Sequence, residues 1–335
     1  MKTRYLLAAL LLVCVVVVLS SCGPKEAPKT ETPMSPPVAK AAPAAPATGE
    51  VPKGNGETIG VSLLTKTHVF YQDMEAAMQA EATKLGFKLN VMSAEFDANT
   101  QNSQVDNFIV QKVAAIILCP ADSASVGGAV KKANAAGIPV FTADISAKEG
   151  DIVCHIASDN RHGGELAAEL IAKAVNSKGK VLVIDHPAVE SVQARTAGFD
   201  EVMKKYPEIK VIKQPAEGQR AKAREVTENM LSANPDLKGI FGINDDSALG
   251  ALAACRAHKG ADKIVIIGFD GTPEARKEIA AGGQLLADVV QHPKDIATTT
   301  IDTIARFLAK QQVPKAIPVQ VDVLDKAAIQ KEAGK

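Results

Sequence analysis

The chain has 335 residues, which is enough for two domains of ordinary size. Lysine plus arginine total 38, equal to aspartate plus glutamate, so no net charge attracts nucleic acid or an anionic surface. Aromatic residues make up 4% of the chain and tryptophan is absent, so we expect no nucleic-acid partner bound by base stacking.

The first 22 residues have the pattern of an export signal. Lys2 and Arg4 precede the apolar run LLAALLLVCVVVVL, and the small residues of LSSC end at Cys22. This run of 14 residues is shorter than the roughly 17 apolar residues at the short limit for a permanent membrane span. LSSC also resembles the lipobox of bacterial lipoproteins, in which the cysteine is acylated and becomes the mature N-terminus. That resemblance implies a domain in the periplasm or at the cell surface, tethered to membrane lipid through Cys22.

Residues 23–55 are predicted to form a disordered spacer. They contain eight of the 18 prolines of the chain and almost no large apolar residue. Such a composition cannot bury enough apolar surface to fold. The glycines of GNGETIG (54–60) precede the first predicted strand instead of following it, so they are not interpreted as a dinucleotide-binding motif.

From Glu57 onward, short apolar runs alternate with segments of helical periodicity such as 70–85. The runs that predict strands are 58–64, 88–93, 114–119, 138–143 and 152–157, followed by 180–185, 210–214, 239–243, 264–269 and 286–291. Several runs lack polar alternation, which is typical of parallel strands covered on both faces. Two such series in similar order predict an α/β protein with two lobes, each a doubly wound parallel sheet.

Polar residues directly follow several of these strands. In IFGINDDSALGAL (240–252), an asparagine and two aspartates stand between an apolar strand and a helix. The same arrangement recurs at 116–125, 139–148 and 266–275. Because ligands of open α/β sheets bind beyond the C-terminal ends of the strands, these segments together predict a binding site. A single residue among them, such as Ser247, can equally well cap its helix.

The chain closely resembles the ribose-type sugar-binding proteins of bacterial ABC importers, from about Thr58 to about Val323. The stretches that carry the resemblance are HIASDN (155–160), NDDSALGAL (244–252), GFDGTPEA (268–275) and Gln291-His292-Pro293. The resemblance implies a type I periplasmic binding protein fold, whose two lobes close over a monosaccharide or similar polyol. It further implies a monomer without cofactor that delivers its ligand to the permease of an ABC importer.

The resemblance also implies how the chain divides between the lobes. The N-terminal lobe would comprise residues 56–158 and 292–320, and the C-terminal lobe residues 159–291 and 321–335. Three crossings near residues 159, 292 and 320 would form the hinge, and a helix at 293–311 would return to the first lobe. Hinge closure around a ligand is a known way for such lobes to signal occupancy.

The same resemblance implies a set of ligand-binding residues. These are Leu64, His68, Phe70, Tyr71 and Asp144 in the first lobe, and Arg195, Asn244, Asp270 and Gln291 in the second. Aromatic rings such as that of Phe70 can cover the C–H face of a sugar, and a carboxylate such as Asp144 accepts two hydroxyl hydrogen bonds at once. Phe70 at a helix start and Asp270 in a turn could also have purely structural roles.

Five positions depart from the ribose-binding pattern. Leu64 replaces a serine, His68 and Cys119 replace asparagines, Ile145 replaces an arginine, and Gly218 falls on or near an aromatic position. Loss of a buried polar partner typically weakens binding by about 1–3 kcal/mol. We therefore expect a ligand with one less polar or larger edge than ribose, such as a deoxy-sugar, a hexose that uses room near Gly218, or a small sugar-derived signal.

Other function classes have weaker support in the sequence. We find no GxSxG, Walker or HExxH motif and no His/Cys cluster at metal-ligand spacing, so we predict neither an enzyme nor a metal protein. His155 is expected in the core, and Glu190 and Glu217 are expected in solvent.

A LacI-type repressor has the same lobes but needs an N-terminal helix-turn-helix, whereas this chain begins with a predicted signal and spacer. A sensor that docks on a membrane kinase or chemoreceptor remains an alternative to transport.

Overall fold

The computed structural model describes residues 49–334, so the predicted signal, Cys22 and most of the spacer lie outside the described residues. The first series of elements is β1 (Thr58–Leu63), α1 (Val69–Lys84), β2 (Lys88–Ser93), α2 (Ala98–Gln111), β3 (Ala115–Leu118), α3 (Gly127–Ala135), β4 (Val140–Ala143) and β5 (Ile152–Ser158). The second series is α4 (Asn160–Ala174), β6 (Gly179–Asp185), α5 (Glu190–Met203), β7 (Ile209–Pro215), α6 (Arg220–Ala233), β8 (Leu237–Gly242), α7 (Asp245–Ala257), β9 (Val265–Asp270), α8 (Pro273–Ala281) and β10 (Leu285–Val290). The chain continues with α9 (Pro293–Leu308), β11 (Ala316–Val319), β12 (Asp322–Asp325) and α10 (Lys326–Ala333).

Two six-stranded sheets form the centres of two lobes. The first sheet has the order β11-β5-β4-β3-β1-β2 and the second the order β12-β10-β9-β8-β6-β7. All pairs are parallel except β10 with β12, which is antiparallel. The two sheets therefore have the same spatial order, which confirms the predicted pair of like α/β lobes. The ten predicted strands are all present within about two residues of their predicted ends, whereas β11 and β12 were not predicted as strands.

The chain passes between the sheets three times, after β5, after β10 and between β11 and β12. Hydrogen bonds join these crossings to one another. The Ser158 hydroxyl donates to Oε1 of Gln291 over 2.7 Å, and the Asp159 N–H donates to the Val319 carbonyl over 2.8 Å. Helix α9 packs against α1 and against β4 and β5, which belong to the first sheet and its helices.

The central strands of the sheets are covered on both faces and form part of the core. Every residue of β3 and β4 is buried, which explains why their sequences lack polar alternation. In the second lobe, the rings of Phe199 and Phe241 stack with centroids 5.2 Å apart. The three cysteines in the described part of the chain, Cys119, Cys154 and Cys255, are buried free thiols, in agreement with the absence of a CxxC spacing.

Residues 49–56 run along the first lobe. The Gly54 N–H donates to the Leu85 carbonyl over 2.7 Å, and Arg306 of α9 donates to the Gly49 carbonyl over 2.8 Å. Val51 packs against the core of that lobe. Residues 49–55, which were predicted to belong to the disordered spacer, therefore contact the first lobe. None of the helices within residues 49–334 has the length and hydropathy needed to cross a membrane.

Candidate ligand-binding site

The C-terminal ends of both sheets border a cleft between the lobes. All the predicted site residues except Cys119 line it, namely His68, Phe70, Tyr71, Asp144, Ile145, Arg195, Gly218, Asn244, Asp270 and Gln291, together with Leu64. The polar segments that follow the strands therefore do meet in one place, as parallel topology requires.

The first-lobe wall of the cleft contains one carboxylate among apolar side chains. Asp144 follows β4 with a φ of 65°, a left-handed conformation that non-glycine residues seldom adopt. The Tyr71 hydroxyl donates to its Oδ2 over 2.6 Å, while its Oδ1 is buried and has no partner within the described residues. Leu64 and Ile145 flank it. Burial raises the pKa of Asp144, and the nearby Arg195 guanidinium and the Tyr71 hydroxyl oppose this shift.

Arg195 of α5 is the buried cation of the second-lobe wall. Its Nε donates to Oδ1 of Asn160 and its Nη1 to the Ile243 carbonyl, each over 2.7 Å, and the guanidinium carbon lies 3.8 Å from the centroid of the Phe269 ring. Within residues 49–334 no acceptor bonds Nη2, so this nitrogen is available to a ligand. Burial lowers the pKa of Arg195, whereas Asp270 and Asp144 raise it.

Glycines allow α5 to bring Arg195 this close to the sheet. A Cβ on Gly164 of α4 would lie 1.9 Å from the Arg195 carbonyl oxygen, and a Cβ on Gly198 of α5 would lie 2.0 Å from the Arg161 carbonyl oxygen. The backbones of α4 and α5 therefore cross in direct contact, and a side chain at either glycine would displace Arg195.

Asp270, Gln291 and Asn244 complete the second-lobe wall, and each is held by its neighbours. Nε2 of Gln291 donates to Oδ1 of Asp270 over 2.7 Å, and the Asp245 N–H donates to Oδ2 of Asp270 over 3.3 Å. Oδ1 of Asn244 accepts the Ser247 N–H and caps α7, while its Nδ2 donates to the Gly218 carbonyl over 3.0 Å. The cap of α7 is therefore Asn244, which lines the cleft at the same time. Burial raises the pKa of Asp270 well above its usual range, Asp245 adds to the shift, and Arg195 opposes it.

The lobes touch each other on both sides of the cleft. On one side, Nε2 of His68 lies 3.2 Å from Oδ2 of Asp246, and burial lowers the His68 pKa more than this carboxylate raises it. On the other side, the Ser123 N–H donates to the Ala188 carbonyl over 3.1 Å, and the Glu190 N–H donates to the Ser123 hydroxyl over 2.9 Å. The structure is thus a closed form, in which the cleft is surrounded by the hinge and by two lines of contact.

Cys119 is the predicted site residue that does not line the cleft. Its side chain is fully buried, its N–H donates to the Ser62 carbonyl, and its carbonyl accepts from Nε2 of Gln101. Burial together with the nearby Asp144 charge raises the pKa of Cys119 well above its usual range.

Several lining residues were not identified from the sequence, namely Phe96, His186, Val189, Ser191, Val192 and Ile243. His186 directly follows β6, so it occupies the same kind of position as the four polar segments used for the prediction. Burial lowers its pKa to about 4, so the imidazole is neutral near pH 7 and offers one donor and one acceptor. The Nδ1 atom of His186 lies 3.6 Å from the position that a Cβ on Gly218 would occupy. The imidazole therefore fills part of the space near Gly218 that was expected to hold a larger ligand.

Glu190 also differs from its expected place in solvent. Its side chain is half-buried, and burial and then the Asp144 charge raise its pKa, while Arg195 opposes the shift. Glu217 is exposed, as expected. His155 is largely buried away from the cleft, with its Nδ1 2.9 Å from the Thr142 hydroxyl. No group of three or more His, Cys, Asp or Glu side chains in the described part of the chain is arranged to hold a metal ion.

Comparisons with known proteins agree with this geometry. The family model described as a periplasmic binding protein domain matches residues 59–312. The ribose import binding protein of Salmonella typhimurium is 34% identical over 271 residues, which cover 81% of this chain and 91% of the relative. A D-apiose import binding protein of Actinobacillus succinogenes is 34% identical over 254 residues, covering 74% of this chain and 81% of the relative.

Solved structures are similar over the same region. An ABC transporter solute binding protein from Agrobacterium vitis with bound D-fucose has a TM-score of 0.77 at 32% identity, covering 82% of this chain and 98% of that one. One from Mycobacterium smegmatis with bound glycerol has a TM-score of 0.79 at 28% identity, covering 84% and 98%. With a matching family model, similar relatives and the same two-lobed architecture, the chain belongs to the periplasmic binding protein family.

Proposed function

We propose that this protein captures a monosaccharide or similar polyol between its two lobes and delivers it to the permease of an ABC importer. The observation that carries the proposal is the pair of unpartnered polar groups that flank the closed cleft. Oδ1 of Asp144 accepts no hydrogen bond and Nη2 of Arg195 donates none within residues 49–334. Leaving the buried Oδ1 of Asp144 unpaired costs about 1–3 kcal/mol, and a ligand with neighbouring hydroxyl and ether oxygens would satisfy it and accept from Nη2 of Arg195 as well.

The names of the relatives and structural neighbours support the same ligand class. The relatives are import binding proteins for ribose and D-apiose, and the neighbours hold D-fucose and glycerol. All four compounds carry neighbouring hydroxyl groups. In such proteins, lobe closure around the ligand is the event that a membrane partner recognises. We infer that the two lobes move as rigid bodies. The first comprises residues 56–158 and 292–320, and the second comprises residues 159–291 and 321–335.

The first-lobe wall supports a ligand with one apolar edge. Leu64, Ile145 and Phe70 line it, and Tyr71 already occupies one oxygen of Asp144. A ribose-like diol that uses both oxygens of this carboxylate would have to share Oδ2 with the Tyr71 hydroxyl, which already donates to it over 2.6 Å. A deoxy-sugar would place its methyl or methylene group against the aliphatic side chains at no such cost.

A ligand panel tests the proposal. Purified protein would be titrated with ribose, D-fucose, D-allose, D-apiose, myo-inositol and glycerol, by thermal shift and then by calorimetry. A ligand at about 100 times its dissociation constant stabilises the folded state by about 2.7 kcal/mol, which raises the melting temperature by at least about 2 °C. Asp262→Asn, which changes an exposed carboxylate, is the matched control for Asp270→Asn. If no sugar shifts the wild type, or if Asp270→Asn behaves like the control, the sugar proposal is wrong.

We also propose that Cys22 carries the lipid anchor. The cysteine lies outside the described residues, so the support is the LSSC sequence and the signal-like run before it. Cys22→Ala should leave the signal uncleaved or release the protein from the membrane fraction. Cys14→Ala, which changes a cysteine inside the signal, is the control. Normal processing and unchanged membrane retention of Cys22→Ala would point to another tether.

A further inference from the structure

The backbone at Asp270 has a conformation that needs support from outside the strand. Its φ is 132°, in a region that favours glycine, so the loop must be held in place by its surroundings. The next two residues provide the hold. The Gly271 N–H donates to Oδ2 of Asp288 over 3.1 Å, and the Thr272 N–H donates to Oδ2 of Asp245 over 2.7 Å. Two buried carboxyl groups, one on β10 and one on α7, thus fix the loop that presents Asp270 to the cleft.

The remaining oxygens of these two carboxyl groups face a common point. A Cβ on Gly268 would lie 2.1 Å from Oδ1 of Asp288 and 3.0 Å from Oδ1 of Asp245. Neither Oδ1 has a hydrogen-bond donor within residues 49–334, and the two residues are 0% and 2% exposed. A side chain at position 268 would separate the two groups, which explains the glycine there.

No cation balances this pair. Among the described residues, neither Asp245 nor Asp288 forms an ion pair, and the charges that face them, Asp246 and Asp270, are negative. Arg195, the buried cation nearby, lies against Asp270 and Asp144 instead. Two buried carboxylates in contact without a cation cannot both be ionised, so one of them must carry a proton.

We propose that Asp245 and Asp288 share one proton in a carboxyl–carboxylate hydrogen bond between their Oδ1 atoms, and that this bonded pair positions Asp270 for the ligand. The part of this inference that concerns the ligand rests on the proposed function. The shared proton itself does not, because it follows from the contacts of the two carboxyl groups with each other and with the loop.

The pair makes stability depend on pH with a definite sign. Burial raises the pKa of both carboxyl groups; the Asp245 charge raises that of Asp288 further, whereas the hydrogen bond to Asp288 partly offsets the rise at Asp245. The folded protein therefore holds a proton that the unfolded chain releases above about pH 4, so stability falls as pH rises through the folded pKa. At still higher pH the two carboxylates repel each other and the Gly271–Thr272 loop loosens, which weakens ligand binding.

Three variants test the shared proton through melting temperatures between pH 4 and 9, without ligand. In Asp288→Asn the amide N–H replaces the proton and donates to Asp245, so we expect a higher melting temperature than wild type at pH 8, by at least about 2 °C, and a flatter pH profile. Asp245→Asn should act in the same direction. The double variant places two N–H groups opposite each other and should melt below either single variant. Asp262→Asn, in the same lobe, should follow the wild type.

Infrared spectroscopy and binding add two readouts that a purely structural role would not change. The wild type should show the C=O stretch of a protonated carboxyl group at pH 7 that Asp288→Asn lacks. Its affinity for the ligand found in the panel should fall at high pH, while that of Asp288→Asn should not. If both single variants melt as low as the double variant at every pH, or if no protonated carboxyl band is lost, the shared proton is refuted. Failure of sugar binding alone would leave the thermal and infrared results intact.

Discussion

The two lobes have the same strand order but present very different walls to the cleft. The second lobe offers Arg195, Asn244, Asp270 and Gln291, each already held by hydrogen bonds from its neighbours. The first lobe offers one carboxylate, Asp144, half covered by Tyr71 and flanked by aliphatic side chains. The repeated topology therefore does not repeat the chemistry. Under the proposed function, the polar half would bind hydroxyl groups in general, and the apolar half would decide which compounds fit.

The difference has a structural origin. Second-lobe groups bond to backbone atoms of their own lobe, such as the Ile243 and Gly218 carbonyls, so their positions do not depend on closure. Pre-arranged groups lose little conformational entropy on binding, which concentrates affinity in that wall. The first lobe has fewer such bonds, so substitutions there should shift specificity more than overall affinity.

The largest effect should come from Arg195→Met. The change removes the donor at the centre of the second-lobe wall and leaves the Ile243 carbonyl without its partner. We expect the dissociation constant of the best ligand, measured by calorimetry, to rise by about 100-fold or more, which corresponds to about 2.7 kcal/mol. Arg195→Lys should not restore binding, because a lysine cannot reproduce the forked geometry. A loss of less than fivefold in a folded variant would contradict the assignment of affinity to the second lobe.

Asp144→Asn should have a smaller effect. One oxygen of Asp144 already accepts from Tyr71, so the ligand loses a single charged acceptor in the first lobe. We expect affinity to fall by about tenfold, near 1.4 kcal/mol. The same calorimetric titration on Asp270→Asn provides the comparison across the cleft. If Asp144→Asn costs more than Arg195→Met, the ranking of the two walls is reversed.

Tyr71→Phe should change specificity at nearly constant overall affinity. Removing the hydroxyl frees Oδ2 of Asp144 for a second ligand hydroxyl. The ratio of ribose affinity to D-fucose affinity should increase by about threefold to tenfold, since one hydrogen bond contributes about 1 kcal/mol. Tyr206→Phe, at a part-buried hydrogen bond to Glu169 in the other lobe, is the matched control. An unchanged ratio would show that Tyr71 does not restrict the diol.

The smallest effect should come from Ser123→Ala, at the contact between the lobes. The variant loses the hydroxyl that accepts the Glu190 N–H but keeps the backbone bond to Ala188. Dissociation should accelerate by about twofold to fivefold, in line with one part-buried hydrogen bond. Ser232→Ala, whose hydroxyl bonds within its own helix, should have no effect.

In wild-type protein, saturating ligand should reduce the radius of gyration measured by solution scattering. An unchanged scattering curve would contradict hinge closure.

The sequence allowed much of this arrangement to be predicted, because periodicity determines strands and parallel topology gathers strand ends in one place. β11 (AIPV) and β12 (DVLD) were missed because each is a four-residue strand at a sheet edge, the first interrupted by Pro318 and the second bounded by two aspartates. Phe96 reaches the cleft only through a loop in which its φ is 66°, a conformation that no periodicity indicates.

Contacts between distant segments could not be predicted in the same way. Asp245 and Asp288 meet because α7 lies over β9 and β10 pairs with β9 in one particular register. Cys119 is at the expected end of β3, yet its side chain is fully buried and does not line the cleft. Position along the chain indicates the edge of the sheet on which a side chain lies, whereas neighbouring side chains decide whether it reaches the ligand.

Residues 49–56 determine which part of the molecule would bear a mechanical force from the N-terminal side. They bond to Leu85, Gly86 and Arg306, all of which belong to the first lobe, and make no hydrogen bond to the second. Tension along the preceding segment would therefore pull on the first lobe alone and leave the three crossings unstrained. If Cys22 carries the proposed anchor, the second lobe could swing under thermal motion without working against it, so that anchoring and ligand capture would be mechanically independent.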